Sequence, residues 1–399
     1  MDKMECRTCV RNKVVELTFS MPQSPIGNIS RIRVLRRTAS RFVFGKHYAS
    51  YFESMKPGSR DAYSGCKIER KDDGKVVCRD ANVRAGATYV YWIRVGRSRT
   101  QGPFAVKVRD PGIWWPRTEI LRRMRALARR FPDLIEYTVF GKTASHKSLS
   151  GLRVGSRTRC VALTGLVHAG ESGPELMIPA LERLVVEDPD LLKKTGVAIL
   201  PAVNGDERER QVDGCPWYLR RNPRGVDINR NFDADWEVVN HMYGLSTDDP
   251  NSGTYRGVKP ESEPETRAVV NFVKMVRPRV VFNYHHLASI CDCHFLGPRS
   301  AEGDGAYRRS CNAMCTSYTH GMYPSRSREP GLSFTTSPGS LPAWLYSKMK
   351  VPAFDVEGDR CAECNQSTID RTDDRLLELF QERHYGGIRS VLQMLSKRK

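Results

Sequence analysis

The sequence is 399 residues long, 40% hydrophobic and 27% charged, enough chain for two domains and a substantial core. No run approaches the roughly 20 apolar residues of a membrane span and residues 1–11 lack the apolar segment of a secretory signal, so the sequence reads as a cytoplasmic protein whose 12 cysteines are mostly reduced thiols. The net charge of +19 is uneven: residues 1–112 hold 23 Lys+Arg against 10 Asp+Glu, either a basic solvated face or a site for an acidic partner, and the lack of an aromatic-rich basic groove or helix-turn-helix pattern argues against nucleic acid.

Residues 14–19, 32–35, 75–79, 88–95 and 104–108 are short alternating segments with turn residues between them, and none has helical length. They predict a small all-β sandwich over residues 1–112. Residues 83–95, followed by Gly102-Pro103, resemble the closing strands of a fibronectin type III domain. Cys6-x-x-Cys9 and Cys361-x-x-Cys364 are either free thiols near the ends or, if the termini meet, a structural four-thiolate zinc site.

Pro, Gly and Trp punctuate residues 110–116, so the second domain is placed at residues 113–399. A helix is expected over 118–130, with Leu121, Met124, Leu127 and Ala128 on its apolar face. Gly141-Lys142-Thr143 lacks the upstream glycine of a phosphate-binding loop. Residues 161–167 have the β-branched content of a buried strand, and helical periodicity begins soon after His168 and Glu171. Ser172 with Glu175 reads as a capping box, followed by the stripe Leu176, Pro179, Ala180, Leu184 and Val185. His168 and Glu171 therefore stand where a strand hands over to a helix, the end of an open α/β sheet at which ligands bind.

A strand is expected at 195–201 and a charged loop or helix at 204–213. Residues 217–232 then pack four arginines, three asparagines and an aspartate between turn residues, either a solvated loop or one that grips anions through guanidinium forks. A helix over 261–275 precedes an apolar strand at 279–284 that ends on His285 and His286. The strand at 352–356 ends on Glu357, and an amphipathic helix occupies 374–395. This alternation predicts an α/β domain with a mixed, largely parallel sheet.

The ordered set His168-x-x-Glu171, Arg220, Asn229-Arg230, His285 and Glu357 resembles the zinc metallocarboxypeptidase family, of carboxypeptidase A type, over roughly residues 113–395. The 114 positions from Glu171 to His285 fall in that family's range; Asp227-Ile228-Asn229-Arg230-Asn231-Phe232 is its most specific stretch, followed by Tyr255-Arg256-Gly257 and Ser262-Glu263-Pro264-Glu265-Thr266. The resemblance implies Zn2+ held by His168, Glu171 and His285, with a fourth position open for water. It implies Glu357 as general base, Arg220 as oxyanion donor, Asn229 and Arg230 as the grip on the substrate carboxylate, and Asp227 orienting His168. His286 and His294 are rivals to His285, and Arg221 and Arg224 to Arg220. Residues 332–340 contain no tyrosine where the digestive members carry one that closes over the substrate, and Leu341 falls near the position lining their side-chain pocket. The expected activity is hydrolysis of the C-terminal peptide bond of peptides or proteins. The alternatives are an amidohydrolase of the same fold acting on cell-wall peptides or acylated amino acids, or a catalytically silent binding protein with a basic sandwich domain.

Overall fold

The computed structural model describes residues 6–11, 14–20, 29–39, 55–85, 87–97, 100–109, 112–213, 219–241, 245–285, 292–325, 329–359 and 374–397. The chain divides into two compact units: Met1–Trp114 with Arg210–Tyr218 and Ile369–Arg371, and the remainder.

The first unit is all-β. Strands β1 (Cys6–Arg11), β2 (Val14–Ser20), β3 (Ile32–Ala39), β4 (Ala62–Tyr63), β5 (Cys66–Arg70), β6 (Lys75–Asp80), β7 (Thr88–Val95) and β8 (Gln101–Lys107) form two antiparallel sheets, ordered β1-β2-β6-β5 and β4-β3-β7-β8. In β2 the alternation of the sequence is literal, with Val15, Leu17 and Phe19 buried. These side chains join Val34, Val76, Cys78, Tyr91 and Val106 in one core shared by both sheets. Part of the positive charge is turned inward: Arg36 donates to the buried Asp80 carboxylate (2.7 Å), as do the hydroxyls of Tyr63 (2.7 Å) and Tyr91 (2.8 Å). Burial pushes the Asp80 pKa up, but these donors outweigh it and leave it below the ordinary value. Cys6 and Cys9 lie three apart on β1 and so point to opposite faces; Cys361 and Cys364 lie outside the described residues.

The second unit carries α1 (Arg117–Arg130), β9 (Ile135–Lys142), β10 (Ser148–Gly155), β11 (Cys160–Gly165), α2 (Pro174–Glu187), α3 (Pro189–Lys194), β12 (Gly196–Leu200), α4 (Gly205–Val212, whose last residues belong to the first unit), α5 (Pro264–Val276), β13 (Val280–His285), β14 (Asp292–Pro298), α6 (Gly305–Met322), β15 (Gly331–Thr336), α7 (Leu341–Met349), β16 (Ala353–Asp359) and α8 (Asp374–Lys397). Its eight-stranded sheet is mixed, in the order β15-β14-β16-β13-β11-β12-β10-β9. The central strands β16, β13, β11 and β12 are parallel neighbours, and β11 and β13 are buried along their whole length, as strands covered on both faces must be. One face packs Phe282, Tyr284, Phe295 and Phe354 against Met177, Tyr318 and Ile388, from α2, α6 and α8. The other packs Ala162, Val281 and Ala353 against Val269 and Phe272 of α5 and Trp344 and Leu345 of α7.

One local expectation is corrected. Ser172 does not cap α2; Gly173 occupies that place and Pro174 is the first helical residue. The Glu175 carboxylate, which a capping box would turn back to Ser172, accepts instead from the backbone N–H groups of Gly173 (3.2 Å) and Trp115 (2.9 Å).

Candidate metal centre

The strand pairing brings the candidates together. β11 ends just before His168, β13 ends on His285, and His285 stands in register with Glu357 on the parallel neighbour β16. Among the described residues, His168, Glu171 and His285 form the group able to hold a metal ion, and all three are buried. His168 Nδ1 lies 2.9 Å from Glu171 Oε1, His285 Nδ1 lies 3.2 Å from Glu171 Oε2, and the two Nδ1 atoms are 3.2 Å apart. Two imidazole lone pairs and a carboxylate at such range repel one another unless a proton or a cation lies among them. The donor set, two nitrogens and one carboxylate, is what zinc takes in hydrolytic sites.

Both rings are turned by a second carboxylate. His168 Nε2 is 3.0 Å from Asp227 Oδ1, and His285 Nε2 is 3.3 Å from Asp355 Oδ1. A carboxylate only accepts, so His168 Nε2 carries a proton toward Asp227. His285 Nε2 also lies 2.7 Å from Asn283 Nδ2, and in both rings Nδ1 faces the metal position. Asp227 also binds Arg220, whose Nε and Nη2 reach Oδ2 at 2.9 and 2.7 Å, and it receives the Asn229 backbone N–H at 3.0 Å. Burial pushes Asp227 and Glu171 toward the neutral form, but Arg220 and His168 for the first, and His168 and His285 for the second, hold both pKa values well below the carboxylate range. Burial opposes protonation of His285, and Asp355 and Glu171 overcome it, so its pKa is raised. Glu357 is different: burial raises its pKa, Glu171 and Asp355 add to the rise, and His285 opposes it. A carboxyl beside the metal position whose pKa is raised is suited to carry a proton.

Asn229 and Arg230 occupy a short turn over residues 228–230 and are both buried. Asn229 Nδ2 donates to Asp355 Oδ2 at 2.8 Å and its Oδ1 accepts from the Leu341 N–H at 3.0 Å, so this side chain ties the turn to β16 and α7. Arg230 Nη1 donates to the Asn229 carbonyl at 2.7 Å. Gly339, at φ +71°, backs this turn at close range: an added Cβ would meet the Arg230 carbonyl oxygen at 2.2 Å. The three stretches that carry the family resemblance form one hydrogen-bonded unit. Asn231 Nδ2 donates to the carbonyls of Arg256 (2.8 Å) and Lys259 (3.0 Å) and to Ser262 Oγ (2.9 Å), while its Oδ1 accepts from Glu263 N (3.0 Å) and Thr266 Oγ1 (2.9 Å).

The rivals are placed elsewhere. His294 stands in register with Glu357 from the other side, on β14, with Nε2 3.1 Å from Ser333 Oγ, outside the ligand group. His286 lies outside the described residues. Arg221 donates to the Pro250 carbonyl at 2.7 Å, and Arg224 lies 3.9 Å from Glu263. Sequence reasoning missed Asp355 and Asn283, which donates to Asp355 at 2.7 Å. The signal was present: each is a polar residue two positions before a named one, His285 or Glu357, on an otherwise apolar strand, and alternate residues share a face.

Among known families, the one described as zinc carboxypeptidase (Peptidase_M14) matches residues 120–378. The chain is 28% identical to human mast cell carboxypeptidase A over 173 residues, 36% of this chain and 38% of the relative. It is 37% identical to murein peptide amidase A of Escherichia coli K12 over 94 residues, 23% of this chain and 37% of the relative. The chain thus spans about two fifths of the length of these curated relatives. The fold is similar to that of carboxypeptidase A from Helicoverpa armigera, with a TM-score of 0.58 at 15% identity, covering 83% of this chain and 91% of that one.

Proposed function

This chain belongs to the zinc carboxypeptidase family, and from that premise we propose that it hydrolyses the C-terminal peptide bond of peptides or proteins. The observation that carries the reading is the buried group of His168, Glu171 and His285 with Glu357 in register beside it. The residues present fit zinc, which when bound would supply a Lewis acid and a water of lowered pKa. Glu357 then takes the water's proton and returns it to the departing amine, a use that fits its raised pKa. Arg220, held by Asp227, stabilises the developing oxyanion, and Arg230, with the turn that Asn229 fixes, holds the substrate carboxylate. Asp227 and Asp355 orient the two rings so that each Nδ1 faces the metal position.

A second reading, an amidase acting on cell-wall peptides, is favoured by the 37% identity to murein peptide amidase A. One experiment separates the two. The zinc-loaded protein is incubated with peptides of randomised C-terminal residue and with murein tripeptide, each with and without a chelator, and the products are weighed by mass spectrometry. Chelator-sensitive loss of single C-terminal residues supports the carboxypeptidase; cleavage of the murein peptide alone replaces it with the amidase.

A further inference from the structure

The turn that carries His168 and Glu171 is gripped from inside the protein by an ion pair to which the chemistry above assigns no task. Arg208, on α4, is fully buried, and its Nη2 meets Glu175 Oε1 at 2.5 Å. The same guanidinium donates from Nη1 to the carbonyls of Ala169 (2.9 Å) and Glu171 (2.6 Å), and from Nε to the carbonyl of Trp115 (3.0 Å). Glu175 closes the ring from the other side by accepting the N–H groups of Trp115 and Gly173. We infer that Arg208 and Glu175 are positioning residues that fix the His168–Glu171 turn, and through it two of the three zinc ligands.

The energetics favour this role over simple stabilisation. A buried ion pair contributes little net stability compared with apolar residues of the same volume, because both charges must leave water. What it does supply is geometry. The guanidinium presents its donors in a fixed planar fork, and here two of its hydrogen bonds end on carbonyls between or at the ligand residues. The turn also needs holding. Leu166, two residues before His168, has φ +50°, a left-handed conformation that a side-chain-bearing residue keeps only where its surroundings impose it. The Leu166 carbonyl is fixed in turn by the Asn204 N–H at 2.7 Å, from the segment leading into α4.

This inference rests on the zinc reading, and the test keeps the two apart. Zinc affinity is measured on the full chain by competition with a chromophoric chelator, alongside the thermal midpoint of the metal-free protein and the visible spectrum of its cobalt-substituted form. The variants are Arg208→Lys, Glu175→Gln and the apolar pair Glu175→Leu/Arg208→Met. The expected result is a zinc affinity about 10- to 100-fold weaker and a shifted cobalt spectrum, with the midpoint of the double variant close to wild type. Wild-type affinity in any folded variant overturns the inference while leaving the zinc reading intact. Loss of fold in all three also overturns it, because the pair would then be a requirement of the core. A wild-type protein that binds no zinc fails the zinc reading itself and takes the inference with it.

Discussion

At the scale of single residues, the site divides into groups that hold the histidines and groups to which the proposed function gives a part in the reaction. Glu357 is the clearest of the second kind, since it shares a register with His285 yet lies outside the ligand group. Glu357→Gln should keep zinc at one ion per chain while turnover falls by about 10²–10⁴-fold, the usual worth of a positioned acid–base group. Metal analysis beside a peptide-trimming assay checks this, and turnover near wild type removes Glu357 from the base role. For Arg230 the proposed role is the grip on the substrate's carboxylate. Arg230→Ala is expected to raise KM for free-carboxylate peptides by about ten- to a hundredfold, in line with a lost charged hydrogen bond, with a smaller effect on kcat. If the wild type cleaves C-terminally amidated peptides as well as free ones, no carboxylate grip of this kind operates.

At the scale of elements, the carboxyl edge of the sheet is crossed by a buried polar ladder. Thr164 on β11 donates to Asn283 on β13 (2.7 Å), Asn283 donates to Asp355 on β16, and Asp355 accepts from Asn229 in the turn over 228–230. This ladder fixes the partner of His285 Nε2. Asp355→Asn should therefore weaken zinc binding by about 10- to 100-fold, the range for lost partners of metal-binding histidines. Equal zinc affinity in chelator competition would show that His285 needs no such partner. The same elements show what could be read from the sequence and what could not. β11, β13 and the ends carrying His168, His285 and Glu357 were legible because central parallel strands are apolar runs and a charged residue at their ends stands out. The hairpin of β9 and β10 was not: it lies at the sheet's edge, where Glu136, Thr138 and Arg153 interrupt the apolar pattern. α6 was missed for another reason. Its buried face, Tyr307, Cys311, Met314, Cys315, Tyr318 and Met322, has helical spacing but uses tyrosine and cysteine in place of leucine. The buried Arg208–Glu175 pair eluded the sequence because its members are 33 positions apart: Glu175 reads as a helix cap and Arg208 as one charge in a charged segment.

At the scale of the whole molecule, zinc and protons both act on stability. The ligands come from the ends of β11 and β13, so an ion bound there joins two neighbouring strands and stabilises the folded chain by mass action, about 2.7 kcal/mol at a hundredfold excess over Kd. Since His285 has a raised pKa, zinc must displace a proton to bind, and the thermal shift produced by zinc should be larger at pH 8 than at pH 6. A shift independent of pH would mean that His285 is already neutral in the metal-free protein. A second proton effect lies behind the sheet, away from the metal. His384 on α8 is fully buried, its Nδ1 2.7 Å from the Tyr318 hydroxyl, which in turn contacts the hydroxyl of Tyr284 on β13. Burial, with a smaller contribution from Arg383, pushes its pKa down to about 3. In the unfolded chain the same imidazole takes up a proton near pH 6.5, so the unfolded state binds more protons throughout the interval from about 6.5 to 3. Stability from the neutral ring is thus fully present above pH 6.5 and is lost as pH falls through that interval, by on the order of 5 kcal/mol in all. His384→Gln keeps a hydrogen-bonding partner for Tyr318 without a titrating ring. In urea unfolding of metal-free protein between pH 7 and pH 4, wild type should lose more stability than this variant, with a slope steeper by about one proton. Equal slopes would show that His384 stays solvated enough to titrate in the folded protein as it does in the unfolded chain.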